Sequence, residues 1–136
     1  MKLASVPTVS ELLPIAVEAV DRASTMLRER SPGQITIKGD RDPATEVDYA
    51  IEREVRAFLL DVAPEVGFLG EEDGQFGNSD AGFMWALDPI DGTVNFIQGV
   101  PLCGVSLGLV YNERPVLGVI DLPFLNCRYS ALDGAG

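Results

Sequence analysis

The apolar positions of this chain change their period as the sequence proceeds. Between Ser10 and Leu27 they fall at Leu13, Ala16, Val17, Val20, Ala23 and Leu27, the three-and-four spacing of an amphipathic helix. Ser10 is suited to cap it, with Glu11 in the first turn and Pro14 near enough to the start to be tolerated. Ser31-Pro32-Gly33 ends it. Residues 34–38 alternate Ile35 and Ile37 with polar neighbours and read as a short strand; residues 39–43 read as a polar loop. A second helical stripe, Val47, Ile51, Val55, Phe58, Leu59 and Val62, begins after Thr45 and stops at Pro64. Glu52, Arg53, Glu54 and Arg56 are assigned to its outer face, as a solvated charge pattern.

Beyond Pro64 the spacing is that of strands. Residues 67–69 form a short apolar strand that runs into Gly70-Glu71-Glu72-Asp73-Gly74, and residues 75–81 read as a long polar loop. The apolar strand 82–87 is expected to stop at Asp88-Pro89, because proline has no N–H for a ladder. Val94-Asn95-Phe96 opens a short helical turn. A strand at 103–111, a turn at 112–114, a return strand at 115–121 and a last strand at 126–131 make a meander. The expected class is α+β, an antiparallel sheet flanked by two helices. With no repeat, low-complexity segment or linker, residues 1–136 read as a single domain.

Composition narrows the function. The chain has 136 residues, 46% hydrophobic and 23% charged, as in an ordinary soluble domain. Twenty-one acids against ten bases give a net charge of −11, which argues against a nucleic-acid partner. Metal ions can reverse such a charge locally, so phosphate remains open as a ligand. The sequence has no histidine, which removes Ser-His-Asp and Cys-His catalysis and histidine-ligated zinc together. Cys103 and Cys127 lie far apart in apolar surroundings and read as buried free thiols in a reducing compartment. Lys2 is followed by no apolar run and Pro7 and Pro14 interrupt the start, unlike a secretory signal. No apolar run approaches the ~18 residues of a membrane span. The expectation is a cytoplasmic protein with no membrane partner.

Two clusters of acids carry the candidate chemistry. Asp88 and Asp91 are separated only by Pro89 and Ile90, and Gly92-Thr93 follow. Carboxylates crowded onto a turn repel unless a cation sits between them, and oxygen-only donors favour a hard cation, Mg²⁺ before Ca²⁺. Backbone N–H groups after Asp91 could hold an anion beside it. The second cluster is Glu71-Glu72-Asp73. Asp48, in the first turn of the second helix, reads on its own as an acid favoured by the helix dipole. Taken singly, these are turn dipeptides and a solvated acidic loop.

Together they form a pattern. Asp88-Pro89-Ile90-Asp91-Gly92-Thr93, preceded by Gly70-Glu71-Glu72 and by Thr45-Glu46-Val47-Asp48, resembles the inositol monophosphatase family of magnesium-dependent, lithium-sensitive sugar phosphatases. The resemblance runs from Ser10 onward and includes Asn95-Phe96 and Gly118-Val119-Ile120. It implies the N-terminal half of a layered α/β/α/β/α fold and Mg²⁺ as cofactor. The implied activity is hydrolysis of a small phosphorylated polyol or sugar. Inositol monophosphate is the first substrate, with histidinol phosphate and fructose 1,6-bisphosphate as alternatives. By the same resemblance, Glu71, Asp88 and the Ile90 carbonyl match ligands of one Mg²⁺, and Asp88 and Asp91 of a second. Glu71 also matches a ligand of a loosely held third ion. Gly92 and Thr93 match the amides that bind substrate phosphate, Asp48 and Thr93 the pair that orients the attacking water, and Glu72 an outer acid. The family's second half, absent from this sequence, would bring a Trp-Asp motif and most contacts to the organic part of the substrate. An uncovered sheet edge would then invite a partner chain, a homodimer among the options. The competing expectation is a half-domain that binds Mg²⁺ or a partner without turnover.

Overall fold

The computed structural model describes residues 8–39, 42–78 and 80–134. Helix α1 spans Val9–Glu29 and starts on Thr8 rather than Ser10. Thr8 Oγ1 accepts the Glu11 N–H while the Glu11 carboxylate accepts the Thr8 N–H, each at 3.3 Å. A capping box needs an acid three residues on. Ser10 has Leu13 there, so the cap falls at Thr8. The buried stripe is Leu12, Ile15, Ala16, Ala19, Val20, Ala23 and Leu27, and Leu13 and Val17 sit half-buried at its margin. Helix α2 (Glu46–Val62) repeats the device with Thr45 and Asp48. It buries Val47, Ile51, Val55, Leu59 and Val62, with Phe58 at the margin. Glu52, expected on the outer face, is instead fully buried.

Two short hairpins replace expected loops. Strands β1 (Ile35–Lys38) and β2 (Asp42–Thr45) pair antiparallel, with Pro43 opposite Ile37. The supposed loop at 39–43 is therefore partly strand, and Asp40 and Arg41 lie outside the described residues. Strand β3 (Gly67–Gly70) turns through the acids into β4 (Gly74–Phe76), which takes the start of the supposed 75–81 loop; Ser79 also lies outside the described residues. There follow β5 (Phe83–Asp91), α3 (Thr93–Ile97), β6 (Gly104–Tyr111), β7 (Arg114–Leu122), a 3₁₀ turn (Pro123–Leu125) and β8 (Cys127–Leu132). The main sheet has the order β4-β3-β5-β6-β7-β8.

The fold is α+β, with one departure from an all-antiparallel sheet. Strand β3 pairs with β5 in parallel, because the chain reverses once into β4 and again before β5. The remaining pairs are antiparallel. Strand β5 also continues past Pro89 instead of stopping there. Its pairing with β6 passes from Asp88↔Ser106 to Asp91↔Gly104, so three steps on one strand meet two on the other. The extra residue makes a bulge, which is where a sheet accommodates a proline.

Side chains alternate along the sheet. Phe83, Trp85, Leu87, Val105, Leu107, Leu109, Leu117 and Val119 are buried on the face that α1 and α2 cover. On that face Ser24 Oγ of α1 donates to buried Asp121 of β7, and Arg128 Nε of β8 meets the same carboxylate at 3.2 Å. The other face, through Ala86, Ser106 and Gly108, is only half-buried. Among the described residues no helix is long and apolar enough to cross a membrane. Cys103 is a buried free thiol; Cys127, also expected buried, is free and only half-buried.

The β6–β7 turn supplies a stability test. Asn112 and Glu113 both have positive φ, 46° and 70°, the backbone of a tight type I′ hairpin that favours glycine in its second position. Glu113→Gly should raise stability by about 0.5–1 kcal/mol through relief of left-handed strain. The expected readout is a higher urea midpoint with an unchanged slope; a lower midpoint would contradict the strain assignment.

Candidate active site

The candidate site forms where the first turn of α2, the end of β3 and the end of β5 meet. Asp48 is 1% exposed. Its Oδ2 accepts the Thr45 N–H at 2.7 Å and its Oδ1 accepts the Thr93 hydroxyl at 3.1 Å. It is therefore more than a dipole-favoured acid: the cap that starts α2 also fixes the carboxylate that reaches Thr93. The Thr93 hydroxyl lies 3.0 Å from the Ile90 carbonyl as well. A hydroxyl has one proton, so Asp48 and Ile90 compete for it.

Gly92 makes the corner between β5 and α3. Its φ of 89° is left-handed, and a Cβ there would stand 2.9 Å from the Leu102 carbonyl oxygen. Only glycine satisfies both conditions without strain. Asn95 Nδ2 donates to that Leu102 oxygen at 2.8 Å and ties the following loop to α3. Thr93 is the first residue of α3, where helical N–H groups have no partner inside the helix.

An open cleft of about 300 Å³ gathers these pieces. It is lined by Glu71 from the β3–β4 turn, by Asp88, Ile90 and Asp91 from β5, by Gly92, Thr93, Val94 and Asn95, and by Asp42 and Pro43 of β2. The structure thus brings Glu71, Asp88, Ile90, Asp91, Gly92 and Thr93 to one place, with Asp48 behind Thr93. Glu72 points elsewhere. It forms an ion pair with Lys38 of β1 at 2.8 Å, with its side chain 2% exposed.

The electrostatics separate the acids. The Glu71 carboxyl is raised to about 7, first because surrounding protein strips part of its water, then by the hydrogen bond and charge of Asp88. Asp88 is also raised, by burial and by the charges of Asp91 and Asp48, although its hydrogen bond with Glu71 works the other way. Burial first, and the neighbouring carboxylates after it, thus favour the protonated form of both groups. Lys38 is held above its ordinary value: burial opposes this, but the hydrogen bond and charge of Glu72 outweigh it.

Among the described residues, no three Asp, Glu, His or Cys side chains are gathered closely enough to hold an ion as they stand. The donor set nevertheless fits a hard cation in its chemistry, being oxygen throughout. Within the cleft, Asp88 Oδ1 is buried and has no hydrogen-bond partner, as is true of two other buried atoms among the described residues, Trp85 Nε1 and Glu72 Oε2, the latter in its ion pair with Lys38. A buried carboxylate oxygen in that condition is costly unless a cation meets it.

Two residues beside the cleft carry little signal in the sequence. Lys38 was read only as the end of a strand, and its pairing with Glu72 is 34 residues distant. Glu52 was assigned to solvent, although it lies four residues after Asp48 and hence on the same side of α2. That spacing was the available signal.

The fold thus sets acids at the ends of two adjacent strands beside a helix corner. The model of the inositol monophosphatase family matches residues 8–136, and the chain belongs to that family. It is similar to the probable inositol 1-monophosphatase ImpA of Mycobacterium tuberculosis, 40% identical over 130 residues, covering 93% of this chain and 46% of that protein. The histidinol-phosphatase of the same organism is 39% identical over 129 residues, covering 91% and 48%. Among solved structures, the extragenic suppressor protein suhB from Bartonella henselae superposes with a TM-score of 0.88 at 30% identity, over 93% of this chain and 50% of that one. The chain spans about half the length of the curated relatives it matches.

The raised Glu71 carboxyl gives a pH test. A carboxyl whose folded value is raised above its unfolded one weakens the fold as it ionises. Glu71 moves from 4.5 to about 7, so metal-free protein should lose thermal stability as pH rises from 5 to 8. Glu71→Gln should flatten that decline. Melting curves in EDTA across this range, equal in slope for both proteins, would defeat the raised Glu71 carboxyl.

Proposed function

We propose that this chain carries the metal- and phosphate-binding part of an Mg²⁺-dependent phosphomonoesterase acting on a sugar or polyol phosphate, inositol monophosphate first. The observation that supports it best is the orphaned Asp88 oxygen in a cleft that also holds Glu71, Asp91 and the Gly92–Thr93 corner. Glu71, Asp88 and the Ile90 carbonyl would hold one cation, and Asp88 and Asp91 a second. Bound Mg²⁺ supplies charge neutralisation for the phosphoryl group and activation of water. The chain's own part is orientation. With Ile90's oxygen turned to a cation, the Thr93 hydroxyl would donate to Asp48 Oδ1, and its lone pairs would be left to accept a hydrogen bond from water. The backbone N–H groups of Gly92 and Thr93 then face the phosphoryl oxygens. No histidine is required.

Little in the cleft could recognise an organic group: Pro43 and Val94 are its apolar walls beside Ile90. What it can read is the phosphate. The names of the relatives fit that limit, one an inositol 1-monophosphatase and one a histidinol-phosphatase, since both substrates are phosphate monoesters.

Phosphate release from inositol 1-phosphate and from histidinol phosphate, with and without Mg²⁺, tests the reading. Turnover should require Mg²⁺ and vanish in Asp91→Asn while the fold is kept; turnover that survives in that variant would remove the two-cation assignment. Thr93→Ala should lower turnover roughly a hundredfold or more, the scale of a lost proton-handling group, with little change in metal affinity. An equal loss of both would count against its part in orienting water. A second reading, an Mg²⁺-binding half-domain without turnover of its own, is favoured by the half-length coverage. Mg²⁺ binding without phosphate release would select it.

A further inference from the structure

One buried charge has no part in that chemistry. Glu52 is fully buried, yet its two oxygens accept backbone N–H groups of the acidic turn, Glu72 at 2.9 Å and Asp73 at 2.6 Å. Gly70, at the other side of Glu71, shows how tightly the carboxylate is seated. A Cβ on Gly70 would stand 2.3 Å from its carboxyl carbon and 2.5 and 2.6 Å from its oxygens. The group could not swing aside cheaply, being buried and held at both oxygens. The next residues of α2 continue the grip, Arg53 and Arg56 holding the Asp73 carboxylate at 3.1 and 3.2 Å.

We propose that Glu52 is a positioning residue: its carboxylate clamps the Gly70–Asp73 backbone against α2 and so aims Glu71 at Asp88. The proposal rests on the reading above only in taking Glu71 and Asp88 as cation ligands. Asp48 and Glu52, one helical turn apart, then divide the work, one holding Thr93 and one holding the acidic turn. Helix α2 becomes the rod that sets the two ligand-bearing segments in register. Apolar burial does not require a carboxylate here, and a buried carboxylate is costly unless donors meet it.

Mn²⁺ binding by the whole chain, followed by electron paramagnetic resonance, tests this beside thermal melting in EDTA. Glu52→Gln puts an amide NH₂ against one of the two backbone N–H groups and should weaken Mn²⁺ at least tenfold in the folded protein. Glu52→Asp keeps the charge but withdraws it by one carbon, and should weaken Mn²⁺ similarly. Gly70→Ala displaces the carboxylate without removing it and should do the same, deciding the matter alone if Glu52→Gln does not fold. Wild-type affinity in folded Glu52→Asp would show that charge and not position matters, and would overturn the proposal. Unchanged affinity in Glu52→Gln or Gly70→Ala, whatever the melting temperature, would overturn it too. If the unaltered chain binds no Mn²⁺, the cation reading itself falls and takes this proposal with it.

Discussion

Carboxylates gathered at one end of a small acidic domain repel one another, so each must be met by a donor, a cation or a proton. Most of the acids around this cleft are met. Asp48 is held by Thr45 and Thr93, Glu52 by two backbone N–H groups, Glu72 by Lys38 and Asp73 by Arg53 and Arg56. Among the described residues, Glu71 and Asp88 have no cationic partner at comparable range, and burial and neighbouring carboxylates hold both carboxyls above their ordinary values. Of the satisfied acids, Asp48 and Glu52 fix the backbone, while Glu71 and Asp88 face the cleft. That division, more than the number of acids, marks where a cation would lower the energy of the whole arrangement.

The sequence disclosed features set by near neighbours. Thr45 and Asp48 lie three residues apart, and the cap they form depends on nothing else, so the start of α2 was legible. The acids at 71, 88 and 91 were legible only as a set, since each alone reads as an ordinary turn or an acidic loop. Features decided by distant partners were not. Strand β4 has three residues and exists because β3 lies beside it; nothing in Gly-Gln-Phe distinguishes it from loop. The parallel pairing of β3 with β5 likewise follows from the hairpin between them. Glu52 failed for the same reason, since charge patterning records where charges fall along a helix and not what waits opposite them. The α1 stripe alone is shifted, because two helices packing on each other widen the apolar face. It centres on Leu12, Ile15 and Ala19, with Leu13 and Val17 packed at its margin.

The proline at 89 illustrates how one local rule can be right in its chemistry and wrong in its consequence. It has no N–H for the ladder, yet β5 does not end there, because the bulge between Asp88 and Asp91 absorbs the missing donor. Side chains on a regular strand alternate between faces, so residues three apart would point to opposite sides of the sheet. In an unbroken β5, Asp88 and Asp91 could not serve one site. The extra residue resets the alternation, and both carboxylates line the same cleft. Gly92 then turns the chain through a left-handed corner that no other residue would take without strain. Proline, bulge and glycine are therefore parts of one device. They convert a three-residue spacing that a strand would scatter into a pair of acids beside a helix start, while α2 holds the third acid across from them.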